Sequence, residues 1–105
     1  MTMLFVGLLS VYAQNKNITV SGIVVEAETK EPILQATVRL LSLPDSTYVA
    51  GAATLAKGAF TLPKVSAGKY VLSVSYIGFK TQNVPVQLSS ANTSKNVGTV
   101  ALKTD

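Results

Sequence analysis

Along most of this chain the apolar side chains recur at every second position, not every third or fourth. Val20, Gly22 and Val24 fall on one side, with Thr19 and Ser21 on the other. Ala36, Val38 and Leu40 alternate with Thr37, Arg39 and Leu41; Tyr70, Leu72, Val74 and Tyr76 alternate with Val71, Ser73 and Ser75; Val84, Val86 and Leu88 alternate with Pro85, Gln87 and Ser89. Phe60 and Leu62 flank Thr61, and Val100 and Leu102 repeat the pattern at the end. Period two is the mark of a half-buried strand, and no long stretch at helical spacing competes with it. Val, Ile, Thr and Tyr dominate the runs, as a pleated surface prefers.

Turn chemistry cuts the runs at regular intervals. The breaks are Glu28-Thr29-Lys30-Glu31-Pro32, Leu43-Pro44-Asp45-Ser46, Lys57-Gly58, the stretch from Pro63 to Gly68, Gly78, and the serine-rich segment from Ser89 to Ser94. Lys57-Gly58 reads as a tight hairpin, with Gly58 taking the positive φ such a turn needs. Pro85 within a strand run places that strand at a sheet edge or a bulge. The expectation is seven strands, at 17–26, 35–43, 47–54, 58–62, 69–77, 80–88 and 96–103. Short strands so spaced indicate an all-β antiparallel sandwich or barrel.

Residues 1–13 stand apart. Met3 to Tyr12 is an apolar run of about ten residues, the length of a signal-peptide core and too short to span a bilayer. Val11-Tyr12-Ala13 is an acceptable cleavage site, leaving Gln14 first in the domain spanning 14–105. No basic residue precedes the run, so the true start codon is expected upstream. The chain is therefore expected to be exported and not itself to span the membrane.

Composition narrows the chemistry. The 105 residues are 48% hydrophobic and 13% charged, too apolar for a disordered tail and sufficient for one modest core. The net charge of +4 comes from scattered basic residues, no two adjacent, which argues against a nucleic-acid footprint. The chain has no Cys and no His. That removes disulfides, thiolate ligands and the usual general base near neutral pH. Its serines lack a base partner, and its seven glycines are dispersed rather than gathered into a phosphate loop. Glu26, Glu28 and Glu31 form the one acidic cluster, but their spacing matches no calcium loop and Lys30 sits among them. No cofactor, metal ligand set or catalytic residue is expected. Among the aromatics, Tyr76 continues a buried face, leaving Tyr48 and Phe79 as candidate ligand or partner contacts.

The ordered set Val20-x-Gly22-x-Val24, Thr29, Pro32, Ala36-x-Val38-x-Leu40, Thr54, Gly58-x-Phe60-x-Leu62, Val65, Gly68-x-Tyr70-x-Leu72-x-Val74, Ile77-Gly78-Phe79 and Gly98-Thr99-Val100-x-Leu102 resembles the carboxypeptidase regulatory-like family over residues 18–103. The resemblance implies a seven-stranded Greek-key β-sandwich of the prealbumin (transthyretin-like) type that is not itself catalytic. With an export signal and Tyr76-Ile77-Gly78-Phe79, the chain looks most like the N-terminal extension of TonB-dependent outer-membrane receptors of Bacteroidetes-type bacteria. That implies a place on the periplasmic side of the outer membrane, an accessory role in nutrient import and a protein partner in the cell envelope, the plug and barrel that would follow beyond Asp105. Leu55 stands where many members carry Asp or Asn, which argues against a polar role for that turn. Two other functions fit such a sandwich: a carbohydrate-binding periplasmic module, with Tyr48 and Phe79 stacking on sugars, and an accessory domain of a secreted peptidase.

Overall fold

The computed structural model describes residues 17–105; the export-signal segment at 1–13 lies outside them. Seven strands follow in order: β1 (Ile18–Glu26), β2 (Thr37–Ser42), β3 (Thr47–Ala53), β4 (Ala59–Val65), β5 (Gly68–Ser75), β6 (Gln82–Leu88) and β7 (Ser94–Leu102). They form a three-stranded sheet, order β4-β1-β7, and a four-stranded sheet, order β3-β2-β5-β6. The chain changes sheet after β1, β3, β4 and β6, so β1 meets β4 and β2 meets β5, the non-consecutive neighbours of a Greek-key sandwich.

The inward-facing set is the one the alternation marks. Val20 and Val24 of β1, Val38 and Leu40 of β2, Phe60 and Leu62 of β4, Leu72 and Val74 of β5, and Leu102 of β7 are nearly or wholly removed from water. Each such side chain contributes about 1.5–3 kcal/mol. Phe60 is the largest, and Gly22 makes room for it. A Cβ on Gly22 would come within 2.7 Å of the Phe60 ring and of Val97 on β7. The absent side chain in the central strand is thus the seat of the largest core ring.

Three local expectations are corrected. First, the sandwich is not antiparallel throughout, because β1 and β7 run parallel, from Thr19 opposite Ser94 to Glu26 opposite Leu102. Antiparallel direction follows from a hairpin connection, and the first and last strands share none; a parallel pair needs a long crossover, which the rest of the domain supplies. Second, Lys57-Gly58 makes a turn but not a hairpin, since β3 and β4 lie in different sheets. Lys57 and Gly58 do have positive φ, 68° and 72°, and a Cβ on Gly58 would collide with the carbonyl oxygen of Val24. The strands part there because Thr54, at the end of β3, is tied to the β1–β2 loop, while Phe60 and Leu62 pair with β1. Third, β4 continues past Leu62 and through Pro63 to Val65. One extra residue is accommodated between the pairs Val20–Leu62 and Ile18–Val65, with Lys64 at φ 59°. Such a bulge on an edge strand is where proline is tolerated. Pro85 also lies on an edge strand, β6, as expected.

Candidate functional site

One end of the sandwich carries three exposed large apolar side chains, Leu34, Leu55 and Ile77. It is built from the β1–β2 loop, the β5–β6 turn and the residues after β7. In the first loop the Lys30 N–H donates to the Glu26 carbonyl, the Glu26 N–H to the Glu31 carbonyl and the Ile33 N–H to the Val24 carbonyl, at 2.9–3.0 Å. These bonds fold Ile33 into the core and turn Leu34 outward, where it is 53% exposed. The loop is fastened from beneath by Thr54. Its hydroxyl donates to the Ile33 carbonyl at 2.5 Å and accepts from the Ala36 N–H at 2.8 Å, fully buried.

The β5–β6 turn is Tyr76-Ile77-Gly78-Phe79, closed by the Phe79 N–H donating to the Tyr76 carbonyl at 3.0 Å. Gly78 has φ 87°, which only glycine adopts without cost at the third turn position. That geometry holds Ile77 at the tip, 89% exposed. Phe79 folds back instead: it is half-buried against the core, its ring 5.9 Å from that of Tyr76 and tilted 45°. The segment after β7 then crosses this turn. The Lys80 N–H donates to the Lys103 carbonyl and the Asp105 N–H to the Gly78 carbonyl, at 2.8 and 3.0 Å.

Between these pieces Pro32, Ile33, Leu34, Tyr76 and Phe79 line a shallow cleft of about 280 Å³, with Glu26 and Gln35 at its polar margin. A second hollow, beside the residues after β7, carries Glu28, Lys80 and Lys103. Leu55, 66% exposed, lies at the same end, next to Thr54. An apolar centre bordered by charges of both signs is the form of a protein-contact surface. Among the described residues, Glu26, Glu28 and Glu31 do not converge as metal ligands. The one marked pKa shift lies elsewhere: burial pushes the Tyr70 phenol above its ordinary 10.0, while its O–H donates to the Ser66 carbonyl at 2.7 Å.

The two aromatic candidates are not brought together. Tyr48 pairs with Leu41 toward the C-terminal end of β2, whereas Phe79 lies beyond Ser75, which pairs with Thr37 at the other end. Phe79 belongs to the apolar end just described, and Tyr48 lies on the outer face of the four-stranded sheet, 60% exposed. Leu34 and Ile77 were not singled out from the sequence. Alternation misleads at Leu34, which falls in phase with Ala36 and Val38 but is turned outward where Gln35 takes φ 70°; at Ile77 the available signal was an isoleucine directly before a turn glycine.

Residues 19–103 match the sequence model of the carboxypeptidase regulatory-like domain. No significantly similar curated protein was found. Among solved structures, the major pilin subunit BcpA of Bacillus cereus superposes with a TM-score of 0.71 at 10% identity, over 86% of this chain and 31% of that one. The pilus 2b backbone protein of group B streptococcus gives 0.60 at 16% identity, over 82% of this chain and 40% of that one. The 5-hydroxyisourate hydrolase of Klebsiella pneumoniae gives 0.61 at 17% identity, over 79% of this chain and 89% of that one. The chain thus spans less than half the length of either pilus protein, and the likeness is one of fold.

Proposed function

The chain belongs to the carboxypeptidase regulatory-like domain family, and from that premise we propose that it is a non-catalytic interaction module of a TonB-dependent outer-membrane receptor. In this reading it is exported to the periplasm and docks through its Leu34–Ile77 end against the plug and barrel during nutrient uptake. The observation that carries the reading is Ile77, held at a turn tip and 89% exposed. An isoleucine in water adds nothing to the isolated domain, whereas covering it would contribute about 1.5–3 kcal/mol to an association. The residues after β7 run across the same turn, so polypeptide following Asp105 would meet this face first.

A shared fold does not decide catalysis, since one fold neighbour is a hydrolase. The non-catalytic reading rests on side chains: the chain has neither His nor Cys, so no serine has the imidazole that usually activates such a nucleophile. The two pilus proteins among the fold neighbours are consistent with a structural use of such a sandwich.

The test is a photo-crosslinking amino acid at position 77 in whole cells, with adducts mapped by mass spectrometry. Adducts to a plug or barrel sequence, lost on Leu34→Asp, are expected. No adduct, or adducts to soluble proteins alone, would refute the receptor reading.

A further inference from the structure

On the outer face of the four-stranded sheet, away from the apolar end, we propose a binding site for an acidic oligosaccharide, a chain of uronate-type sugars, centred on Tyr48 and Arg39. Three features of the backbone build it. Tyr48 would point toward the core if β3 were regular, because Ala50 pairs with Leu40 on the inward side. Instead one extra residue, Val49, is accommodated between the pairs Leu40–Ala50 and Leu41–Tyr48. The bulge turns the tyrosine to the outside, the kind of re-aiming that bulges perform near functional sites. The ring then lies over Gly51: a Cβ there would be 2.6 Å from the Tyr48 hydroxyl and 3.3 Å from a ring carbon. Gly51 has no positive φ, so its backbone does not require glycine; the missing side chain is the ring's seat. Finally, Gly51 pairs with Arg39, which puts Arg39 on the same outer face, directly across from the ring's seat. Among the described residues Arg39 has no ion-pair or hydrogen-bonding side-chain partner.

The register extends this pair into a lane. Tyr48, Leu41, Val71 and Pro85 stand side by side across all four strands. Three strand spacings make the lane about 14 Å long. On one side, exposed Gly51, Arg39 and Asn83 share a row in which Ser73 is buried; on the other, Lys69 pairs with Gln87. Each row sits about 7 Å from the lane's centre, two residues along a strand. A one-residue apolar lane thus has a cation and an amide on either side, and no Asp or Glu falls in any of the four strands.

Sugar rings present apolar C–H faces and polar edges, which matches an aromatic and aliphatic lane between donors, and carboxylates match the two cations. A protein partner would need an apolar core wider than one residue. An anionic membrane surface takes a cluster of about four to eight basic residues, and this face has two.

The experiment is a titration of the isotope-labelled chain, followed by amide NMR, with hexamers of galacturonate and of mannuronate. Maltohexaose, cellohexaose and phosphatidylserine vesicles serve as comparisons. Expected are shifts confined to the amides around Arg39, Leu41, Tyr48–Gly51, Val71 and Asn83, millimolar or tighter, and weakened by salt. Tyr48→Ala and Arg39→Gln should each weaken binding about tenfold. Gly51→Ala should do the same by lifting the ring, with the rest of the spectrum unchanged. The proposal is overturned by no shifts at millimolar uronate, by equal binding of the neutral hexamers, by vesicle binding alone, by line broadening that reports self-association through this face, or by uronate binding that survives Tyr48→Ala and Arg39→Gln.

Discussion

Replacing Thr54 by valine changes one atom group in the most enclosed polar site of the domain. The side chain is fully buried, and its hydroxyl both donates to the Ile33 carbonyl and accepts from the Ala36 N–H. Valine keeps the shape and loses both bonds. Each lost hydrogen bond is worth about 0.5–1.5 kcal/mol, and a buried group left without a partner costs about 1–3 kcal/mol. The Ala36 N–H and the Ile33 carbonyl are both left in that position, so Thr54→Val should destabilise by about 2–4 kcal/mol. Against a typical total of about 5–15 kcal/mol, and at about 4–8 °C per kcal/mol for a domain of this size, the melting temperature should fall by more than about 8 °C. Thr54→Ser keeps the hydroxyl and removes one methyl, and should lose only about 1 kcal/mol. Thermal denaturation followed by circular dichroism measures both. If valine is no worse than serine, the hydroxyl does not fasten the β1–β2 loop and the reasoning fails. The valine variant should also speed amide exchange at Gln35 and Ala36, the segment that carries Leu34.

Three further outcomes can be stated. Phe60→Ala removes the largest buried ring and should cost about 3–5 kcal/mol in denaturant unfolding; a midpoint close to wild type would contradict its place over Gly22. Gly58→Val sets a branched Cβ against the Val24 carbonyl at positive φ and should cost more than about 2 kcal/mol, whereas Lys57→Ala on the exposed turn should stay within about 0.5 kcal/mol; equal melting temperatures would remove the steric account. Burial raises the Tyr70 phenol above 10.0, so its neutral form is favoured by folding, and the associated stability is present below pH 10.0 and lost as pH rises toward the folded value. Tyr70→Phe should therefore be about 0.5–1.5 kcal/mol less stable than wild type at neutral pH, with the gap closing in alkali; a constant gap would mean that the phenol does not couple to folding.

Strand positions were legible because one face of each strand is buried, and burial imposes the alternation that Val20, Val38, Leu72 and Val86 display. Partners were less so. Lys57-Gly58 announces a reversal, but whether the next strand pairs with the last or crosses to the other sheet depends on Thr54 and Phe60, which act over long sequence distances. Pro63 ends a regular ladder yet sits comfortably in an edge bulge, so β4 runs longer than its turn residues suggest. At the candidate sites the sequence carries less information. Leu55 in place of an acid or amide marks the turn as having lost a polar role, while the buried polar work is done one residue earlier by Thr54. Tyr48 was picked out as an exposed aromatic, but nothing in Thr47-Tyr48-Val49-Ala50 reveals the bulge that turns it outward, because no glycine or proline marks it. Phe79 was picked out for the same reason and proves half-buried, its outward place taken by Ile77.

The parallel pairing of β1 with β7 also fixes how the domain carries load. The chain enters at the start of β1 and leaves at the end of β7, and because the two strands point the same way, entrance and exit lie at opposite ends of one sheet. A pull on the two ends therefore slides β1 along β7 rather than peeling them apart, and the bonds between Thr19–Ser94 and Glu26–Leu102 must give way together instead of one after another. Within a longer polypeptide under tension the sandwich would act as a stiff link in the chain, yielding last where flexible segments extend first.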